Sequence, residues 1–128
     1  MPEHKPETQS EHHAKFRRGL EQFNARKFFD AHESWEEIWL SSPEPHKTFL
    51  QGIIQISAAF HHYTYGNMQG TRSLLEAGLR RVGPFPPRYA GIHLELLREA
   101  ARGWIAALAA GGDPGSDKVP RIDLSGDV

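Results

Sequence analysis

Phe28-Phe29-Asp30-Ala31-His32-Glu33-Ser34-Trp35-Glu36-Glu37-Ile38-Trp39-Leu40 decides how this chain is read. Wound at roughly 100° per residue, the stretch lines Phe28, Phe29, His32, Glu36, Trp39 and Leu40 along one arc, with Asp30, Ser34 and Glu37 opposite. Two ionisable side chains thus fall within the aromatic arc. A carboxylate or imidazole buried among apolar groups is costly unless partners answer it. The pattern predicts a buried polar site in a helical bundle, with partners supplied by a second segment.

The segment after the short connection Pro43-Glu44-Pro45 supplies them. Over residues 45–65, Gln51, Gln55, Ala58, Ala59 and His62 form one stripe of a helix, while Phe49, Ile53, Ile56 and Phe60 occupy the other side. A helix apolar nearly all round belongs at the centre of a bundle, so its polar stripe is expected inside too. A tight turn makes the two helices antiparallel, which sets His32 nearest His62 and Glu36 nearest Gln55 or Gln51.

Outward from this pair, a first helix is expected from an N-cap at Ser10, with Phe16, Leu20 and Phe23 inward and His12-His13 a solvated pair. Gly66-Asn67 reads as a helix stop followed by a helix start. A fourth helix over 68–82 turns Thr71, Leu74, Leu75, Gly78 and Val82 inward, with Gly70 and Gly78 marking close backbone contact. After Gly83-Pro84-Phe85-Pro86-Pro87, a fifth helix over 89–110 is expected to bury Leu96, Leu97, Ala100, Trp104 and Leu108, leaving Glu95, Arg98 and Arg102 outside. No strand is expected. The fold class is all-α: a single five-helix bundle over 11–112 with short loops. A disordered N-terminus covers 1–10, and a C-terminal tail covers 113–128. In that tail Val119-Pro120-Arg121-Ile122-Asp123-Leu124 is either extended over the body or loose.

With 128 residues and a net charge of −1, the composition suits one domain with a real core and gives no electrostatic case for nucleic acid. Arg80-Arg81, the candidate for a local basic patch, suits a helix carboxyl end. The absence of cysteine excludes disulfides and thiolate chemistry. No apolar run approaches the ~20 residues that cross a bilayer, and Met1-Pro2-Glu3-His4-Lys5-Pro6-Glu7 lacks the hydrophobic centre of a signal peptide. The expectation is a cytoplasmic monomer or homodimer, with no membrane and no nucleic-acid partner.

Three readings of the polar cluster stand open. It can be a closed hydrogen-bond network that only fixes helix register in a non-enzymatic scaffold. It can hold a divalent metal (zinc, manganese or iron) through His32, Glu36 and His62, an arrangement bundles build from facing helices. His32-Glu33-x-x-Glu36 is half of a metalloprotease motif, with Glu in place of the second His. Or it can be a metal-free pocket in which Glu36 or His32 is the catalytic base of a hydrolytic reaction, and Glu33, Gln51 and Gln55 bind a small polar ligand. Whether the chain is an enzyme stays open among them. Trp35 and Trp39 read as core, Trp35 on a second apolar edge with Ala31 and Ile38. His61 and His93 fall outside the cluster.

Phe28-Phe29-Asp30-Ala31-His32-Glu33-x-Trp35-Glu36-x-x-Trp39, Leu50-Gln51-Gly52-Ile53-Ile54-Gln55, His62 and Gly66-Asn67-x-x-Gly70 together resemble the bacterial family known as domain of unknown function 309, over about residues 16 to 82. The resemblance implies a small all-helical bundle. It also points to His32, Glu33, Glu36, Gln51, Gln55 and His62 as the characteristic polar positions. Asp30 stands where the family carries Glu, and Trp35 where an aliphatic residue is commoner. The family carries no assigned activity.

Overall fold

Helix-forming segments separated by short turns must bury their apolar stripes against one another, and in sequence order these do. The computed structural model describes residues 8–126. Its helices are α1 (Gln9–Asn24), α2 (Phe28–Trp39), α3 (His46–Thr64), α4 (Met68–Val82) and α5 (Leu94–Ala109). A two-residue hairpin, β1 (Arg88–Tyr89) and β2 (Ile92–His93), precedes α5, and a 3-10 turn, Ser116–Lys118, follows it. The fold is the expected all-helical bundle.

Chain reversal makes successive helices antiparallel, and specific contacts show it. Ser57 Oγ, late in α3, donates to Phe28 O at the start of α2 (2.7 Å). Lys47, early in α3, lies 4.7 Å from the ring centre of Trp39 at the end of α2. Between α3 and α4 the backbones nearly touch: a Cβ on Gly78 would sit 2.7 Å from Gly52 O. Gly78 thus has the packing role expected of it. At Gly70 the atoms nearest to such a Cβ belong to the side chain of Asn67, which caps α4 by accepting from Gly70 N, and not to a neighbouring backbone. The core runs from Phe16, Leu20 and Phe23 through Trp35 and Ile38 to Phe49, Ile53, Phe60, Leu75 and Trp104, joined by edge-on aromatic contacts such as Phe23–Phe28 (5.1 Å) and Phe60–Trp104 (5.1 Å).

Local chemistry shifts several boundaries. Thr8, not Ser10, caps α1, accepting from Glu11 N at 3.1 Å, so the helix begins at Gln9, inside the segment expected to be disordered; residues 1–7 of that segment lie outside the described residues. The expected start of α5 at Tyr89 is replaced by the hairpin, whose tight turn uses Ala90 and Gly91 at φ 54° and 76°. Arg98, expected outside, is buried (5% exposed) and Leu96, expected inside, is half exposed. Arg98 is drawn in because α4 ends there: its Nη1 donates to Val82 O (2.9 Å), Gly83 O (3.3 Å) and Phe85 O (2.6 Å), the orphan carbonyls of a helix terminus. Glu95 Oε1 balances the charge at 2.7 Å. The guanidinium donors of Arg102 and Arg98 hold the Glu95 carboxyl below its ordinary range.

The tail is extended over the body, not loose. Val119 and Ile122 are buried. Trp104 Nε1 donates to Lys118 O (3.0 Å), and the Asn24 amide clasps the Ile122 backbone in both directions (3.0 and 2.7 Å). Leu124 bridges to Ile92. Tyr63 Oη donates to Asp113 Oδ1 at 2.8 Å, and burial together with that bond pushes its phenol up to about 12.

Candidate functional site

The rotational phase of α2 decides the site. Its buried residues are Phe28, Ala31, Ser34, Trp35 and Ile38, so the edge of Ala31, Trp35 and Ile38 that the sequence marks as secondary is the one that faces the core. Trp35 is fully buried, donates from Nε1 to Phe16 O (3.1 Å) and lies directly on Gly19, where any side chain would collide with the indole. Small residues at 31 and 34 let α1 approach, and Ser34 Oγ donates to Gln22 Oε1 (2.6 Å). Turned this way, α2 carries His32 and Trp39 at its seam with α3 and puts Glu36 toward water. The expectation of a buried cluster is therefore corrected: the Glu36 side chain is 53% exposed and that of His32 is 24% exposed. Rotation spares the molecule the several kcal/mol that an under-paired buried carboxylate costs.

One expected pair is present. His32 Nε2 lies 2.8 Å from Glu36 Oε1, one helical turn away. Since the carboxylate accepts, Nε2 carries the proton and Nδ1 of the neutral ring offers a lone pair. That Nδ1 is buried and has no hydrogen-bond partner among the described residues, and the same holds for Trp39 Nε1, an N–H donor seven residues on. The seam thus presents one unanswered acceptor and one unanswered donor, about 10 Å apart along the axis at the Cα positions. Phe29, about half exposed, stacks on the His32 ring (5.9 Å) and touches His61 of α3 (5.3 Å).

The other expected residues are placed differently. Gln51 and Gln55 are half-buried along α3, and Gln55 Oε1 accepts from Arg81 Nε of α4 (3.1 Å). Glu33 is exposed. His62 is turned to its own helix end, where its Nδ1 accepts from Asn67 Nδ2 (3.0 Å) beside the turn at Gly66. The Nδ1 lone pair is used there, so His62 does not join His32 and Glu36. Among the described residues no group of three His, Cys, Asp or Glu could hold a metal ion. Among the described residues, too, no helix is long and apolar enough to cross a membrane.

Trp39 and His61 are the site residues the sequence does not single out. The signal for Trp39 was its spacing, since 32, 36 and 39 recur at one helix face. His61 gave none, because its place beside Phe29 depends on how α2 and α3 are rotated together.

Comparison with known proteins places this geometry in context. Residues 16–74 match the family described as Domain of unknown function (DUF309). The chain is 31% identical over 77 residues to an uncharacterized protein of Aquifex aeolicus (strain VF5), covering 59% of this chain and 23% of that protein. It is 33% identical over 63 residues to the uncharacterized protein YpuF of Bacillus subtilis (strain 168), covering 48% of this chain and 36% of that one. The matched stretch is thus well under half the length of either relative. Phe29, His32, Glu36, Trp39, Gln51, Gln55 and His62 all fall within 16–74.

Proposed function

With residues 16–74 placed in the DUF309 family, we propose that the α2–α3 seam is a binding site for a small polar ligand that accepts a hydrogen bond from Trp39 Nε1 and donates one to His32 Nδ1. One observation carries the reading: two buried ring nitrogens without partners. Each orphaned group of this kind costs about 1–2 kcal/mol, and a network that only fixed helix register would be closed. The ligand's polar groups must span about two turns of α2, which suits a short amide-bearing or peptide-like molecule. Gln55 is taken by Arg81 of α4 and Glu33 is exposed, so neither is assigned to this ligand, and Phe29 covers one end of the seam.

The 2.8 Å His32–Glu36 contact favours a catalytic extension of this reading. In this reading Glu36, open to solvent and hydrogen-bonded by His32, serves as the general base for hydrolysis of such a ligand. For a divalent metal the chain offers His32 and Glu36 side by side but turns His62 away, which makes a metal the weaker occupant. The reading is completed by a cytoplasmic setting and a monomeric or dimeric state.

Native mass spectrometry and elemental analysis of the purified chain test it. A bound organic species lost in Trp39→Phe and in His32→Ala supports the proposal. A bare chain in both measurements, or a stoichiometric metal lost in His32→Ala and His62→Ala, overturns it. Glu36→Gln separates binding from hydrolysis: the ligand is retained, and turnover of it is lost.

A further inference from the structure

Past the C-terminal end of α2, the first turn of α1, the α2–α3 turn and the β1–β2 turn line an open cleft of about 600 Å³. Sequence spacing reads His12 as solvated, but the structure does not leave it so. His12 Nε2 lies 2.9 Å from Ser42 Oγ, and that hydroxyl donates its own hydrogen to Ile38 O (2.6 Å). Ser42 therefore accepts from His12, which fixes the proton on Nε2 and leaves Nδ1 as a lone pair. Across the cleft His46, the first residue of α3, is held through Nδ1 by the Tyr89 phenol (3.1 Å). The two imidazoles stand 5.6 Å apart, each oriented by a partner on a different element. His13 lines the same cleft, and among the described residues no carboxylate lines it.

We propose that this cleft is a second ligand site, in which His12 and His46 bind a small oxyanion of the carboxylate or phosphate class together with a proton. With the cleft empty, a positive charge on one ring opposes a positive charge on the other at this distance. An anion seated between them removes that opposition and accepts from both rings once they are protonated. Both histidines also stand on the first turn of a helix, where the backbone favours negative charge. Among the described residues, the charged groups around the pair do not supply that anion. Glu11 on α1 is exposed and outside the lining. The Glu44 carboxylate of the α2–α3 turn accepts from Thr48 N and Oγ1 (2.9 and 2.7 Å). The Lys47 ammonium lies over Trp39. Burial raises the Tyr89 phenol above its ordinary range, so it stays neutral, and Arg88 beside it on β1 is cationic. His12 and Tyr89 lie outside the matched residues 16–74, and His46 lies within them.

By linkage, a ligand bound with a proton raises the titration points of the groups that take it up, and binds more weakly as pH rises. The test is a pH titration of the imidazole resonances of the intact wild-type chain in an amine buffer, alone and with inorganic phosphate or acetate. Expected is an upward shift of both His12 and His46 with the anion present, His61 staying fixed. Affinity should be at least about tenfold weaker near pH 7.5 than near pH 5.5. Response to phosphate alone assigns a phosphoryl ligand; response to both anions assigns a general carboxylate or phosphate seat. Titration curves of His12 and His46 that ignore both anions, or shifts equal to that of His61, overturn the proposal. In His12→Asn, whose fold is checked by its unchanged Trp35 indole resonance, the shift at His46 should vanish; its persistence also overturns the proposal.

Discussion

Two tryptophans one turn apart on α2 should answer the same substitution in opposite ways. Trp35→Phe removes a donor from a made bond to Phe16 O (3.1 Å) in a fully buried site. The lost neutral hydrogen bond is worth about 1 kcal/mol. A cavity of ~40 Å³ at ~24 cal/mol per Å³ adds about another 1 kcal/mol, and lost apolar transfer adds about 1 more. The sum is about 3 kcal/mol of destabilisation. Trp39→Phe removes an N–H that has no partner, relieving about 1–2 kcal/mol. Against that gain, the half-buried ring gives up about 0.5 kcal/mol of burial. Part of its contact with Lys47 is lost too, about 0.5 kcal/mol at an exposed site. The net should fall between zero and about 1 kcal/mol of stabilisation in protein stripped of ligand by denaturation, dialysis and refolding. Equilibrium urea unfolding of both variants measures this directly. A Trp39→Phe cost of about 2 kcal/mol or more would mean that its N–H is well bonded, and the reasoning from orphaned atoms would fail.

Other expectations follow from the same geometry. Arg98→Met should cost about 2–4 kcal/mol in urea unfolding, because three carbonyls at the end of α4 lose their donor, whereas Arg102→Met, at a half-exposed ion pair, should cost under about 1 kcal/mol. Gly78→Ala should destabilise by about 2 kcal/mol or more, since its methyl would press on Gly52 O and the Ile56 side chain, while Gly103→Ala, on an open helix face, should be neutral or stabilising by up to about 1 kcal/mol. Burial first, and His12 second, hold His46 below the ordinary histidine range. A depressed folded-state value means that the unfolded chain takes the proton more readily. The stability contribution of neutral His46 is therefore fully present above about pH 6.5 and declines as pH falls below it. Urea midpoints measured across that window should fall more steeply in wild type than in His46→Gln.

Much of the bundle was legible because periodicity and punctuation agree over long segments. For α4 the capping Asn67, the inward set ending at Val82 and the close approach at Gly78 all follow from residue type and spacing. The phase of α2 did not. Both of its arcs are apolar enough to be a core, and the choice falls to Gly19, a residue in another helix whose missing side chain makes room for Trp35. With that choice the polar cluster moves from the interior to a seam, and His62 is lost to the turn that ends its own helix. Arg98 misled for a related reason: on a helical wheel an arginine reads as exposed, and only the carbonyls at the end of α4 reveal why it is buried. His12 is the converse case, a surface-looking residue given a partner by Ser42, thirty positions away.

The decisive experiment follows the three tryptophan indole N–H resonances of stripped, ¹⁵N-labelled protein while the small-molecule fraction released from the purified chain by denaturation is added back. Binding at the α2–α3 seam requires the Trp39 resonance to move as its nitrogen gains an acceptor, with Trp35 and Trp104, already bonded to Phe16 O and Lys118 O, staying in place. A Trp39 signal unchanged at saturating addition would contradict the proposed site.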